Sequence, residues 1–116
     1  MPLHLELKEQ LEAAYREQLD GDARLTQDAL LAAFDNGVAL EVRYLNPKEY
    51  ALAWSWGDVE LRIDTAPVHS GLGTYPNHLH DADNQVIEDP LTRPGESPWD
   101  NLKAVIDAVL ENPLLR

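Results

Sequence analysis

Cysteine is absent from this chain of 116 residues, which removes disulfides, thiolate nucleophiles and every zinc site that uses cysteine sulfur. Any metal would have to be held by nitrogen and oxygen donors. Positive charge is scarce: Lys and Arg number 9 against 21 Asp and Glu, a formal net charge of −12. Tight, sequence-independent nucleic-acid binding draws much of its affinity from neutralising phosphates, so this balance disfavours it and favours a basic protein partner. Long apolar runs are missing too. Stretches such as "ALLAAF" fall well short of the roughly 20 residues that cross a bilayer. The start, "MPLHLELKEQ", has neither the basic region nor the apolar stretch of a secretory signal, so a cytoplasmic protein without a membrane role is expected. Also missing are a Gly-rich phosphate loop, a dinucleotide fingerprint and a serine or cysteine nucleophile motif. NTP hydrolysis, hydride transfer and acyl transfer therefore rank low.

What is present is ordinary globular composition, 44% hydrophobic and 26% charged, with the length of one domain over residues 1–116. In "HLELKEQLEAAYREQLDGD" the residues Leu7, Leu11, Ala14, Tyr15 and Leu19 recur mostly at steps of three and four, which predicts an amphipathic helix ending at Asp20-Gly21. The stretch "TQDALLAAFDNG" predicts a second, shorter helix with Thr26 as N-cap and Asn36-Gly37 as its left-handed stop. Residues 1–37 thus form an expected helical part. Beyond them the apolar period drops to two: Val38, Leu40, Val42 and Tyr44 share one face, then Tyr50, Leu52, Trp54 and Trp56, then Val59, Leu61 and Ile63. Asn46-Pro47 and Gly57-Asp58 separate these runs as turns, giving an expected antiparallel meander over residues 38–64. Residues 65–96 read as a His/Pro/Gly loop and connector, with a brief fourth strand at Gln85 to Ile87. In "SPWDNLKAVIDAVLEN", Ser97 and Pro98 start a helix whose stripe is Leu102, Val105, Ile106, Val109 and Leu110. The fold class expected is α+β: a three- to four-stranded antiparallel meander covered by the C-terminal helix, with two N-terminal helices.

The chemistry concentrates in "LRIDTAPVHSGLGTYPNHLHDADNQVI", residues 61–87, which holds three of the four histidines. His78 and His80 put two imidazoles on one side of an extended backbone, and His69 reaches them if Gly71 to Gly73 folds back. Two uses are open. The three imidazoles can bind a divalent metal, with Asp64, Asp81 or Asp83 completing or orienting the shell. Alternatively, two histidines act as general base and acid on a phosphodiester while Arg62 stabilises phosphate charge, as metal-free ribonuclease chemistry needs. The plainer readings are rings that pin the loop through its carbonyls and an Arg62–Asp64 ion pair on a solvated face. Trp54, Trp56 and Tyr50 read as core, Trp99 as an anchor for the last helix, His4 as a surface residue with no task, and Glu88-Asp89 as solvated.

The same residues resemble the TumE family of toxins from two-gene toxin–antitoxin modules. Its pattern is an aromatic strand, Arg-x-Asp-x-Ala-Pro-His-His, a spacer, Thr-Phe-Pro-His-His-x-His and a terminal helix. Arg62, Asp64, Ala66, Pro67 and His69 match the first block, and Thr74, Pro76, His78 and His80 the second, with Tyr75 for Phe. Val68 and Asn77 stand where two further histidines are usual, so a transferred function rests on His69, His78 and His80, with Asp64 and Arg62 beside them. The resemblance covers residues 38–112 and implies a toxin with a small basic or DNA-binding antitoxin as partner, acting on RNA or another phosphodiester. A non-catalytic binding or regulatory module and a small metal-dependent hydrolase are the alternatives.

Overall fold

Residues 3–116 are described by the computed structural model, in which the stripe at the start of the chain forms helix α1, Leu3–Tyr15, burying Leu7, Leu11 and Tyr15. The next segment departs from expectation. Instead of a second helix, the chain forms strands β1, Arg24–Leu25, and β2, Leu30–Ala33. Thr26 accordingly caps no helix: its N–H donates to the Ala29 carbonyl at 2.8 Å and closes the β1–β2 turn. Gly37 keeps its left-handed backbone, φ 94°, at the turn into the next strand. The reason lies in partnership. A helix of so few residues is marginal on its own, whereas β2 ladders onto its neighbour with Leu30 opposite Val42 and Ala32 opposite Leu40. Leu30, Ala32 and Phe34 then alternate inward, so tertiary pairing overrides alanine's helical preference.

The expected meander is present as β3, Ala39–Asn46, β4, Glu49–Trp56, and β5, Val59–Asp64. Leu52 faces Ile63 and Trp54 faces Leu61 across β4 and β5, and Gly57, at φ 62°, makes the turn between them. The sheet does not stop there. Strands β6, His78–His80, and β7, Val86–Ile87, extend it. Among the described residues the sheet has seven strands in chain order rather than three or four, all pairs antiparallel. Residues 65–96 therefore contribute two strands to it, and β7 is the short edge strand expected near Ile87. Triplets such as His78–His80 show no measurable periodicity, which is why their strand character is invisible until β5 offers an edge to pair with.

Helix α2, Pro98–Glu111, begins at Ser97, whose hydroxyl accepts from the Asp100 N–H, and it buries Leu102, Val105, Ile106 and Val109 while Leu110 is half-buried. Both helices share one core with the inward residues of β2 to β6. Tyr15 and Trp99 meet at 6.2 Å between ring centroids, joining α1 to the start of α2, and Trp54 Nε1 donates to the Pro113 carbonyl at 2.8 Å. His4 has a task after all: its Nε2 accepts the Tyr44 N–H at 3.0 Å. With the helices on one face, the other face of the sheet stays open. Small residues on β4, Ala51, Ala53 and Ser55, floor a broad concavity there, flanked by Glu41 and Arg43 on β3 and Glu60 and Arg62 on β5.

Leu52→Ala and Ile106→Ala, both at sites with 0% exposure, are expected to lower stability by about 2–5 kcal/mol each. Urea unfolding should show reduced midpoints with unchanged m-values; a loss below 1 kcal/mol at both would contradict this core.

Candidate functional site

Strands β5 and β6 build the site by register. Asp64 stands opposite His78 and Arg62 opposite His80, while Ile63 and Leu79 between them point into the core. Side chains two apart share a face, so this register gathers a guanidinium, a carboxylate and two imidazoles on the open side. Asp64 is the centre of the group. Its Oδ2 accepts Arg62 Nε at 2.8 Å, and its Oδ1 accepts the Ala66 N–H at 3.0 Å. His78 Nε2 lies 2.9 Å from Oδ1, and His80 Nε2 lies 3.5 Å from Oδ2. Arg62 thus pairs with Asp64, but with a buried carboxylate rather than on the solvated face expected, and it also turns toward the histidines, with Nη2 3.1 Å from His80 Nε2.

Hydrogen bonding restricts where the protons sit. The Pro76 carbonyl can only accept, so His78 Nδ1, 3.2 Å away, carries a proton and donates it. Arg62 can only donate, so His80 Nε2 accepts and its neutral tautomer is protonated at Nδ1. His78 Nε2 and His80 Nε2 are 3.1 Å apart. Burial, followed by the adjacent Arg62 charge, pushes the His80 pKa below its ordinary value and outweighs the opposing pull of Asp64. One ligand atom from each of Asp64, His78 and His80 falls within 4.8 Å of the others, a spacing open to a metal ion.

The loop between β5 and β6 carries His69 over this group. Its ring is 4.6 Å from that of His78 and 6.4 Å from that of His80, both edge-on. All five candidates, Arg62, Asp64, His69, His78 and His80, therefore gather in one place. The rings differ in access, however: His78 is buried to 1% exposure on a strand, and it is not the solvent-facing loop residue its sequence context suggests. Asp81 and Asp83 stay outside. Asp81 caps the β6–β7 turn through the Asp83 and Gln85 N–H groups, and Asp83 pairs with Arg116 at 2.7 Å.

Beneath the loop lies a polar knot that sequence reading missed. Asn77 Nδ2 donates to Tyr50 Oη at 2.9 Å and to Asp89 Oδ2 at 3.0 Å, and the Tyr50 and Thr92 hydroxyls are 2.9 Å apart. Asp89 is buried rather than solvated, accepting the Leu91 and Thr92 N–H groups at 2.8 and 3.0 Å. The amide end of Asn77 must face that carboxylate, which leaves Asn77 Oδ1 buried without a partner among the described residues. Glu88 is exposed yet accepts the Gly73 N–H at 2.8 Å. The available signal was "DPLT": an Asp followed three residues on by Thr caps its own backbone.

The fold and site define a small α+β protein with a His/Asp/Arg cluster at the end of an open sheet face. A model of the family described as toxin TumE matches residues 4–112, and the chain belongs to that family. Membership makes it a toxin component of a toxin–antitoxin system and brings an antitoxin partner with it. No curated protein and no solved structure matches the chain. No helix among the described residues is long and apolar enough to cross a membrane.

In chelator-treated protein, an NMR titration should give His80 a midpoint below the ordinary histidine value of 6.5. The folded state then binds fewer protons than the unfolded chain just below pH 6.5, so this residue's contribution should cost stability as pH falls through 6.5 and level off beneath the folded midpoint. Arg62→Gln should move that midpoint upward; a midpoint unchanged by the substitution would disprove the charge contribution.

Proposed function

We propose that the protein is a toxin that cleaves RNA at the Arg62/Asp64/His69/His78/His80 cluster. The observation that carries this reading is the meeting of one guanidinium and three imidazoles around a buried carboxylate at the mouth of an open sheet face. Not all of these groups can meet a substrate. His78 is buried, its Nδ1 spent on the Pro76 carbonyl and its Nε2 packed against Asp64 and His80, whereas the Arg62 side chain is half-exposed at 51% and His69 is only partly covered. Arg62 is thus the group for the non-bridging phosphate oxygens, and His69 the proton carrier. In the reaction, neutral His69 takes the proton of a ribose 2′-hydroxyl as that oxygen bonds to phosphorus. The bond to the 5′-oxygen breaks, and the departing oxygen takes a proton from water, leaving a cyclic phosphate.

The acidity of the chain bears on the partner. Asp20, Asp22, Asp28, Glu41, Glu49 and Glu60 border the concave sheet face against Arg24, Arg43 and Arg62, a surplus that suits a basic antitoxin laid across the approach to the site. RNA and such a partner both put the action in the cytoplasm.

His69→Ala and Arg62→Gln are expected to lower RNA cleavage by about 100-fold or more and to relieve growth inhibition, with the circular-dichroism spectrum and antitoxin binding retained. Cleavage would be followed on end-labelled RNA with detection of cyclic phosphate termini. A parent protein that yields no RNA product, together with variants that weaken antitoxin binding in parallel, would instead identify the loop as a non-catalytic binding surface.

A further inference from the structure

We propose that Asp64, His78 and His80 form a mononuclear site for a divalent transition metal, Zn²⁺ or Mn²⁺. The inference deepens the RNA-cleavage reading and rests on it for what the metal does, though not for whether the metal binds. Its first support is the direction of lone pairs. His78 spends its Nδ1 proton on the Pro76 carbonyl, so in the neutral ring Nε2 presents a lone pair. That lone pair faces Asp64 Oδ1 at 2.9 Å and His80 Nε2 at 3.1 Å, and the latter atom is itself an acceptor from Arg62. A lone pair this close to a carboxylate oxygen and to a second ring nitrogen is repelled unless a cation or a proton lies between them.

A second support is preparation. The Pro76 carbonyl on His78 and the Ala66 N–H on Asp64 are the outer contacts that orient metal-binding imidazoles and carboxylates. Asp64 pairs with His78 across adjacent strands and His80 lies two residues further along β6, so their spacing is held by the ladder. Arg62 holds Asp64 Oδ2 through Nε and His80 Nε2 through Nη2, so metal binding moves Nη2 off the single lone pair of His80 while the Nε contact with Asp64 stays in place.

The donor set selects the ion. Two imidazoles and one carboxylate suit zinc, manganese or iron, whereas magnesium and calcium favour oxygen donors throughout. Three protein ligands also leave a coordination position for water or a phosphate oxygen. His69 is outside the triad but within reach of a group bound there, consistent with a proton carrier. A divalent cation beside Arg62 would also supply, locally, the positive charge that a chain at net −12 lacks for a phosphodiester substrate.

The test uses the full-length protein stripped with a chelator, desalted and titrated with Zn²⁺ or Mn²⁺ alone, with calorimetry for affinity and elemental analysis for stoichiometry. One equivalent per chain is expected. Asp64→Asn and His80→Ala should weaken binding by about 100-fold or more, exceeding the loss typical of outer-shell changes. Because His78 is buried, His78→Ala is read only if its circular dichroism matches the parent, and His80→Ala keeps the test decisive otherwise. Asp83→Asn should bind as the parent does. His69→Ala should keep its one equivalent while losing RNA cleavage. Binding of no metal, with His78 found doubly protonated against Asp64 by NMR, would overturn the site; RNA cleavage undiminished in excess chelator would overturn the metal's part in the reaction while leaving the RNA-cleavage reading intact. One bound equivalent with no RNA product from the loaded parent would support the metal site and overturn that reading.

Discussion

The Asp64 carboxylate is the interaction on which the rest of the site depends. It ends β5, accepts the Ala66 N–H that starts the loop, holds the Arg62 guanidinium and faces the imidazoles of β6. A carboxylate at 8% exposure would be costly without such partners, because burial removes the water that solvates its charge. Those partners come from the strand itself, from the loop and from the neighbouring strand. One buried charge therefore ties together the sheet register, the course of the loop and the position of every candidate group.

The loop is held at its other end by neutral and charged hydrogen bonds of a different kind. Asn77, immediately before His78, is anchored to Tyr50 of β4 and to Asp89 of the connector, and Asp89 also accepts from the Leu91 and Thr92 N–H groups and the Thr92 hydroxyl. Burial is the first cause raising the Tyr50 pKa, opposed by the hydrogen bonds from Thr92 and Asn77. A network of this sort fixes geometry more than it adds stability, since each member has already surrendered its water. Its effect is to anchor the backbone immediately before His78, whose ring then meets Asp64 at 2.9 Å.

Electrostatics sets two scales in this molecule. At long range the net charge of −12 repels nucleic acid and attracts basic surfaces. At short range Arg62 and three imidazoles gather at one end of the open sheet face, within the few ångströms over which solvent and salt screen least. The RNA-cleaving toxin with a basic antitoxin proposed above would draw on both scales at once. The small side chains of β4 keep the approach to that point open.

By itself the sequence determined the meander of β3 to β5, helix α2 and the ends of its stripe, because each has a hydrophobic period long enough to be unambiguous and turn residues that close it. It also determined which residue types could carry the chemistry: the motif spacing singled out Arg62, Asp64, His69, His78 and His80, and the missing cysteines confined any metal to nitrogen and oxygen. Tertiary structure decided the rest. Residues 26–36 had a helical composition but became strand and turn because β3 supplied a ladder for Leu30–Ala33. His78–His80 was too short to show any period and became a strand only against β5. Asp89 had the look of a solvated acid until Asn77 and Thr92 closed over it. Local pattern reports what a segment can do alone, whereas the register between strands, which put Asp64 rather than an equally plausible Asp81 or Asp83 beside the imidazoles, exists only once distant parts of the chain have paired.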